Sequence, residues 1–156
     1  MNGKIVTYFS ASGVTKRLAE KIARAAGADL FEIRPETPYS EEDLNWKNPL
    51  ARCNREWLGK KAVPVADKIQ NLQDYHTIYV GFPIWYGSAP NIIGTFLEQY
   101  DLSGKALVLF ATSGGNGIGK TAEKLQRHIS AGAEIKEAKV MSEDISEEAL
   151  QNWAVF

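Results

Sequence analysis

Three short loops carry the residues with which this chain could bind a ligand. The first reads Ser10-Ala11-Ser12-Gly13-Val14-Thr15, between a β-branched run and a segment of helical period. Unpaired N–H groups of a first helical turn point into such a loop, and the helix dipole adds partial positive charge, so an anion is favoured there. Ser10, Ser12 and Thr15 supply hydroxyl donors for phosphate oxygens, and Gly13 permits close backbone approach. A plain N-cap by Ser12, with incidental hydroxyls around it, accounts for the same residues. The second loop is Pro83-Ile84-Trp85-Tyr86-Gly87-Ser88-Ala89-Pro90. Two adjacent large rings between prolines offer flat faces to a planar aromatic ligand, while Gly87 leaves main-chain groups accessible. The competing reading has Trp85 or Tyr86 packing down onto the sheet edge. The third loop, Thr112-Ser113-Gly114-Gly115-Asn116-Gly117-Ile118-Gly119, holds four glycines in eight residues and can wrap a ligand with backbone N–H groups.

Residues 114–121 (GGNGIGKT) also match the nucleotide-binding pattern G-x-x-x-x-G-K-[ST]. A nucleoside-triphosphate enzyme needs in addition an acid poised for magnesium. The strand expected next, over residues 135–141, ends in Met-Ser, and the strand over 77–82 ends in Phe82-Pro83. The Walker reading is therefore rejected, and Lys120 is expected to be a solvated helix residue. Cys53, the single cysteine, has no histidine near it in sequence and cannot form an internal disulfide, which fits a reducing cytoplasm. His76 falls at the start of a strand and His128 late in a helix, so both are expected to be structural or solvated.

These loops need elements to hold them. Strands are expected over residues 4–10, 29–34, 77–82, 105–112 and, less hydrophobic and suited to a sheet edge, 135–141. Helices are expected over 14–26, 90–100 and 118–131, with Val14, Leu18, Ile22 and Ala26 on one face of the first and Gly27 stopping it. Ser146 can cap a last helix, with Ile145 and Leu150 placed as a hydrophobic staple. Between the second and third strands lies a segment of different character, about 35–65, rich in proline, tryptophan and charge. Helices are expected at 48–59 and 66–73, the latter with Ile69 and Leu72 inward. Strand and helix alternate five times, which means parallel strands, right-handed crossovers and helices on both faces of one sheet. In such sheets ligands bind beyond the carboxyl ends of the strands, where all three loops lie.

The bulk composition narrows the alternatives. The chain has 156 residues, the size of one domain, with 44% apolar and 24% charged residues. Its 18 basic and 19 acidic residues leave a net charge of −1 without a basic stripe, so nucleic acid is a poor candidate partner. No apolar run is long enough for a bilayer, and a strand beginning by Lys4 leaves no room for a signal peptide, so a cytoplasmic location is expected.

Taken together, the three loops resemble the flavodoxin family, and more closely its short subgroup with a Y-F-S-x-S-G-x-T start, a P-I-W-[WY]-G centre and a G-G-x-G-[IL]-G third loop. Here these are Tyr8 through Thr15, Pro83 through Gly87 and Gly114 through Gly119; the stretch TFLEQYDLSGK at 95–105 is also similar. The resemblance runs from about residue 4 to 141. It implies a three-layer α/β sandwich, a five-stranded parallel sheet in order 2-1-3-4-5, and FMN as ligand of a single domain spanning 1–156. By the same resemblance, Ser10, Ser12, Gly13, Val14 and Thr15 hold the phosphate. Pro83, Trp85, Tyr86 and Gly87 line one side of the isoalloxazine, and Thr112, Gly114 and Gly115 contact its pyrimidine edge. Ile84, Ser113 and Gly117 complete the cofactor-binding set, and no metal is expected.

The chain departs from the family in two respects. It is nearly neutral, where soluble electron carriers of this kind are strongly acidic to steer them to basic partners. Its third loop also lacks the usual tyrosine, so the outer flavin face is open unless Tyr39, Trp46 or Trp57 covers it. Two functions follow from different classes: an electron carrier between proteins, or an NAD(P)H-dependent reductase of quinones or similar small acceptors. A vacant, non-redox binding module is a third. Donor and acceptor are not specified by the sequence, and homodimerisation is left open.

Overall fold

Alternation along the three central strands decides the layers. The computed structural model describes residues 3–11, 13–59, 62–113, 118 and 120–154. In β1 (Lys4–Tyr8), β3 (Thr77–Pro83) and β4 (Ala106–Thr112) nearly every residue is buried, as strands covered on both faces must be. Val6, Tyr8, Tyr79, Val108 and Phe110 face one side and pack with Leu18, Ala19 and Ile22 of α1 (Val14–Ala26) and Leu150 of α5 (Glu147–Trp153). Ile5, Ile78, Val80, Phe82, Leu107 and Leu109 face the other. There they meet Ile92, Ile93, Phe96 and Leu97 of α3 (Asn91–Glu98), Leu125 of α4 (Thr121–Gln126) and Val63, Val65, Ile69 and Leu72 of the long segment. With β2 (Asp29–Glu32) and β5 (Glu134–Val140) at the edges, the sheet is parallel throughout in the order β2-β1-β3-β4-β5. The fold is thus the flavodoxin-like three-layer sandwich expected, and the polar fifth strand is an edge.

Register sets where the loops emerge. Tyr8 pairs with Gly81, and Pro83 lies opposite Thr112, so the chain leaves β3 and β4 side by side. Gly81 is required by its neighbour: a Cβ there would sit 2.1 Å from the Phe110 ring. The polar group buried in β1 is satisfied, Thr7 Oγ1 donating to the Tyr79 carbonyl at 2.7 Å.

Local signals held best where they were periodic. The first helix spans the expected residues and ends at Gly27 in the left-handed region, φ 64°. Ser146 caps α5 by accepting the Ala149 N–H at 3.1 Å. The long segment differs. Of the helix expected over 48–59, Arg52–Leu58 forms as α2, because turns at Asn48 and Leu50 consume the preceding groups. The helix expected over 66–73 is absent except for a 3-10 turn at Leu72–Asp74. Its backbone is committed elsewhere: Val65 bridges Pro35 antiparallel, Ala66 N–H donates to the Arg34 carbonyl, and Ile69 N–H to the Tyr100 hydroxyl. Ile69 and Leu72 nevertheless point inward. The helix expected over 118–131 is confined to α4, since Ser130 turns its hydroxyl to the Leu102 N–H. Among the described residues no helix is long and apolar enough to cross a membrane.

Candidate functional site

The first loop begins one residue beyond β1, where Phe9 N–H bonds the Gly81 carbonyl. Ser10 Oγ accepts the Gly13 N–H at 3.0 Å. Gly13 itself takes the cap position at φ 95°, which a side chain adopts only with strain, and it has no side chain of its own with which to cap α1. In the competing reading of this loop Ser12 is the N-cap; the cap position is Gly13 instead, and Ser12 lies outside the described residues. Thr15 is buried, its Oγ1 2.8 Å from Thr112 Oγ1 at the end of β4. Two residues expected at opposite ends of the ligand, Thr15 at the phosphate and Thr112 at the ring edge, are therefore hydrogen-bonded to each other.

The second loop is a tight hairpin turn. Trp85 and Ser88 exchange backbone bonds of 2.8 and 3.0 Å around Tyr86 (φ 54°) and Gly87 (φ 72°). Positive φ at both central residues is the type I′ geometry. Gly87 adopts it freely; Tyr86 does so at a cost of about 1–2 kcal/mol. Offsetting contacts come from α2. Trp57 stacks on the Tyr86 ring with centroids 4.6 Å apart and planes 24° apart, and the Tyr86 hydroxyl donates to Asn54 Oδ1, with Cys53 Sγ at 3.5 Å. Burial and the neighbouring cysteine push that hydroxyl well above the ordinary tyrosine range. Trp85 is half-buried and meets Phe9 and Tyr39 edge-on, each 5.6 Å between centroids. Each ring of the pair thus packs on the protein while remaining partly exposed. Ile84 N–H donates to the Thr112 carbonyl at 2.8 Å, joining the second loop to the third. Of the third loop, Thr112 and Ser113 are described, whereas Gly114, Gly115 and Gly117 lie outside the described residues.

The long segment braces this site through residues that sequence reasoning missed. Arg52 is the hub: Nε bonds Glu56 at 2.9 Å, Nη1 donates to the Thr37 carbonyl at 2.7 Å, and the guanidinium lies 4.0 Å from the Tyr39 ring centre. Tyr39 OH also donates to Glu56; burial first, then that carboxylate, raises its pKa. Asn91 Nδ2 reaches the Glu56 carbonyl at 2.9 Å, and Asn54 Nδ2 holds the Trp46 and Asn48 carbonyls at 2.8 and 2.7 Å. The one local signal for this cluster was the i,i+4 pair Arg52–Glu56. Of the three aromatics considered as a cover, Trp46 is 66% exposed, Trp57 is taken up by Tyr86, and Tyr39 abuts Trp85. The histidines are remote: His76 Nδ1 lies 2.7 Å from Thr77 Oγ1 at the amino end of β3, and His128 Nδ1 lies 2.5 Å from Glu98. Lys120 is exposed.

Comparison with known proteins agrees with this fold. Residues 3–155 match the family model described as Flavodoxin. A protein from Bacteroides eggerthii assigned as a flavoprotein superposes with a TM-score of 0.89 at 39% identity, over 96% of this chain and 94% of that one. A flavoprotein from Lactobacillus acidophilus, solved in complex with FMN, has a TM-score of 0.69 at 23% identity, over 88% and 91% of the two chains. A curated relative from Acidovorax ebreus, named NAD(P)H dehydrogenase (quinone), is 34% identical over 103 residues, 64% of this chain. The chain spans 46% of that relative, about half its length.

Proposed function

The chain belongs to the flavodoxin family, and on that premise we propose that it is a single redox domain holding one non-covalent FMN in the three loops, through which electrons pass. The observation that carries this reading is the convergence at the carboxyl ends of β1, β3 and β4: Pro83 opposite Thr112, and Thr112 bonded to Thr15. The donor set fits the group. The first turn of α1 holds no acid, so a phosphate meets N–H groups, hydroxyls and the helix dipole without a repelling carboxylate. Trp85 and Tyr86, partly exposed in a rigid turn, supply flat apolar surface beside it. Ser10, Ser12, Gly13, Val14 and Thr15 would hold the phosphate, Pro83 to Gly87 would flank the ring, and Thr112, Ser113, Gly114, Gly115 and Gly117 would bind its polar edge. When bound, FMN accepts and releases one or two electrons; the protein orients it and limits water around it.

The test is binding of FMN against riboflavin to the flavin-free protein. Loss of the phosphate removes several charge-assisted hydrogen bonds of ~1.5–3 kcal/mol each, so riboflavin should bind at least ~10-fold more weakly. Equal affinities would overturn the assignment of the first loop.

A second reading, an NAD(P)H-dependent reductase of quinones, is favoured by the name of the Acidovorax relative and by the net charge of −1, which lacks the acidity of a protein-steered carrier. Steady-state kinetics separate the two. The reductase oxidises NAD(P)H with ping-pong dependence on a quinone; the carrier is inert to NAD(P)H and accumulates its one-electron stage during photoreduction.

A further inference from the structure

A second concave site opens on the opposite side of β1 from the converging loops. It is a cavity of about 370 Å³ at the carboxyl ends of β1 and β2. Its floor is the buried pair Phe9 and Ile33, and its apolar wall includes Pro38 and Tyr39. Tyr39 is the partition between the two sites, lining this cavity while its ring meets Trp85 beyond. The walls are fixed in place: Pro35 bridges Val65, Glu36 N–H bonds the Pro64 carbonyl at 2.9 Å, and Arg52 and Glu56 clamp Tyr39. Ser10 and Ala11 of the first loop form part of the rim, so the cavity continues directly from the expected phosphate site. The rest of the rim is charged, with Glu32, Arg34 and Glu36. Arg34 is already paired with Asp67.

We propose that this cavity binds an adenine nucleoside phosphate moiety, with its base against the Tyr39 wall, its ribose diol at Glu32 and Glu36, and its 5′-phosphate at the rim past Ala11, clear of the Ser10 hydroxyl assigned to FMN. The size and the apolar, preformed walls suit one nucleoside. Glu32, at the end of the strand next to the one bearing the phosphate loop, can accept from a ribose 2′-hydroxyl, as an acid in that position does in the Rossmann fold. The same two carboxylates, with Arg34 engaged by Asp67, repel a 2′-phosphate. The inference rests on the proposed redox function for its two sources: the tail of FAD, or the adenosine half of a nicotinamide dinucleotide.

The experiment titrates AMP into the full-length protein, with and without FMN, and follows backbone amide shifts together with calorimetry. AMP should bind and shift residues 32–39 and 66. Glu32→Ala and Ala66→Trp, the latter filling the cavity from an exposed position, should each weaken it ~10-fold or more without changing FMN affinity. Adenosine 2′,5′-bisphosphate should bind more weakly than AMP. Selective weakening by Ala66→Trp of FAD relative to FMN, on the flavin-free protein, identifies the flavin tail. Weakening of NADH on the FMN-loaded protein identifies the nicotinamide dinucleotide. Absence of AMP binding to ~10 mM, or binding indifferent to both variants, overturns the site; binding of AMP with both dinucleotides indifferent overturns the assignment to a redox dinucleotide. Failure of FMN to bind would sink the functional reading, while AMP binding to the flavin-free chain would still decide the cavity.

Discussion

Asn54→Ala removes the side chain that ties the long segment to the second loop. Asn54 is 9% exposed and makes three hydrogen bonds: two from Nδ2 to the Trp46 and Asn48 carbonyls, and one accepted by Oδ1 from the Tyr86 hydroxyl. At about 0.5–1.5 kcal/mol net each, the three sum to ~1.5–4 kcal/mol. The two carbonyls sit in an otherwise exposed stretch and can be rehydrated, and the Tyr86 hydroxyl has Cys53 Sγ within 3.5 Å, so the expected loss is ~2 kcal/mol, toward the lower end. Urea denaturation of wild type, Asn54→Ala, Tyr86→Phe and the double variant measures it as a cycle. The coupling between Asn54 and Tyr86 should be about 1 kcal/mol. FMN affinity should fall ~3–10-fold in Asn54→Ala although Asn54 is not among the proposed flavin contacts, because Tyr86 then relaxes from its left-handed backbone conformation. A coupling below ~0.3 kcal/mol, with FMN affinity unchanged, would refute the idea that α2 holds the turn in shape.

Thr15→Val leaves the buried Thr112 hydroxyl without its partner and should cost about 1–2 kcal/mol, whereas Thr15→Val with Thr112→Val should cost less than the two single changes together; additive urea midpoints would contradict the pairing. Gly81→Ala drives a methyl into the Phe110 ring and should lower stability by ~1–3 kcal/mol, with Phe110→Leu recovering part of the loss in thermal melts. Tyr79 OH is buried without a hydrogen-bond partner among the described residues, so Tyr79→Phe should be neutral or stabilising by about 1 kcal/mol. Burial pushes the Tyr79 pKa up to about 12. Its contribution is therefore complete below the unfolded value near pH 10 and is lost as pH rises toward the folded one, so Tyr79→Phe should lose less stability across that alkaline window in pH-dependent melts.

The sequence by itself determined the element order, the burial of the central strands and the positions of the three loops. Such features are written locally: a helical period from Val14 that ends at Gly27, apolar runs at β3 and β4, and the capping serine before α5. Run lengths also held no apolar stretch long enough for a membrane-crossing helix, and among the described residues no such helix forms. Strand order was accessible through the family resemblance, since alternation alone yields parallel strands without saying which pairs with which; the ladders decide it. Tertiary structure alone decided the role of the long segment. Asn54, Arg52 and Glu56 act through bonds to residues far along the chain, and contacts of that kind leave no periodic trace. The same reason leaves 66–71 as irregular chain before the 3-10 turn at Leu72–Asp74 in place of the expected helix, because Pro35 and Val65 claim each other. It also places Tyr86 at positive φ, with Trp57 stacked on its ring and Asn54 accepting from its hydroxyl. The cavity between β1 and β2 arises likewise: its floor and its Tyr39 wall come from separate stretches of chain, brought together by sheet pairing and by the clamp of Arg52.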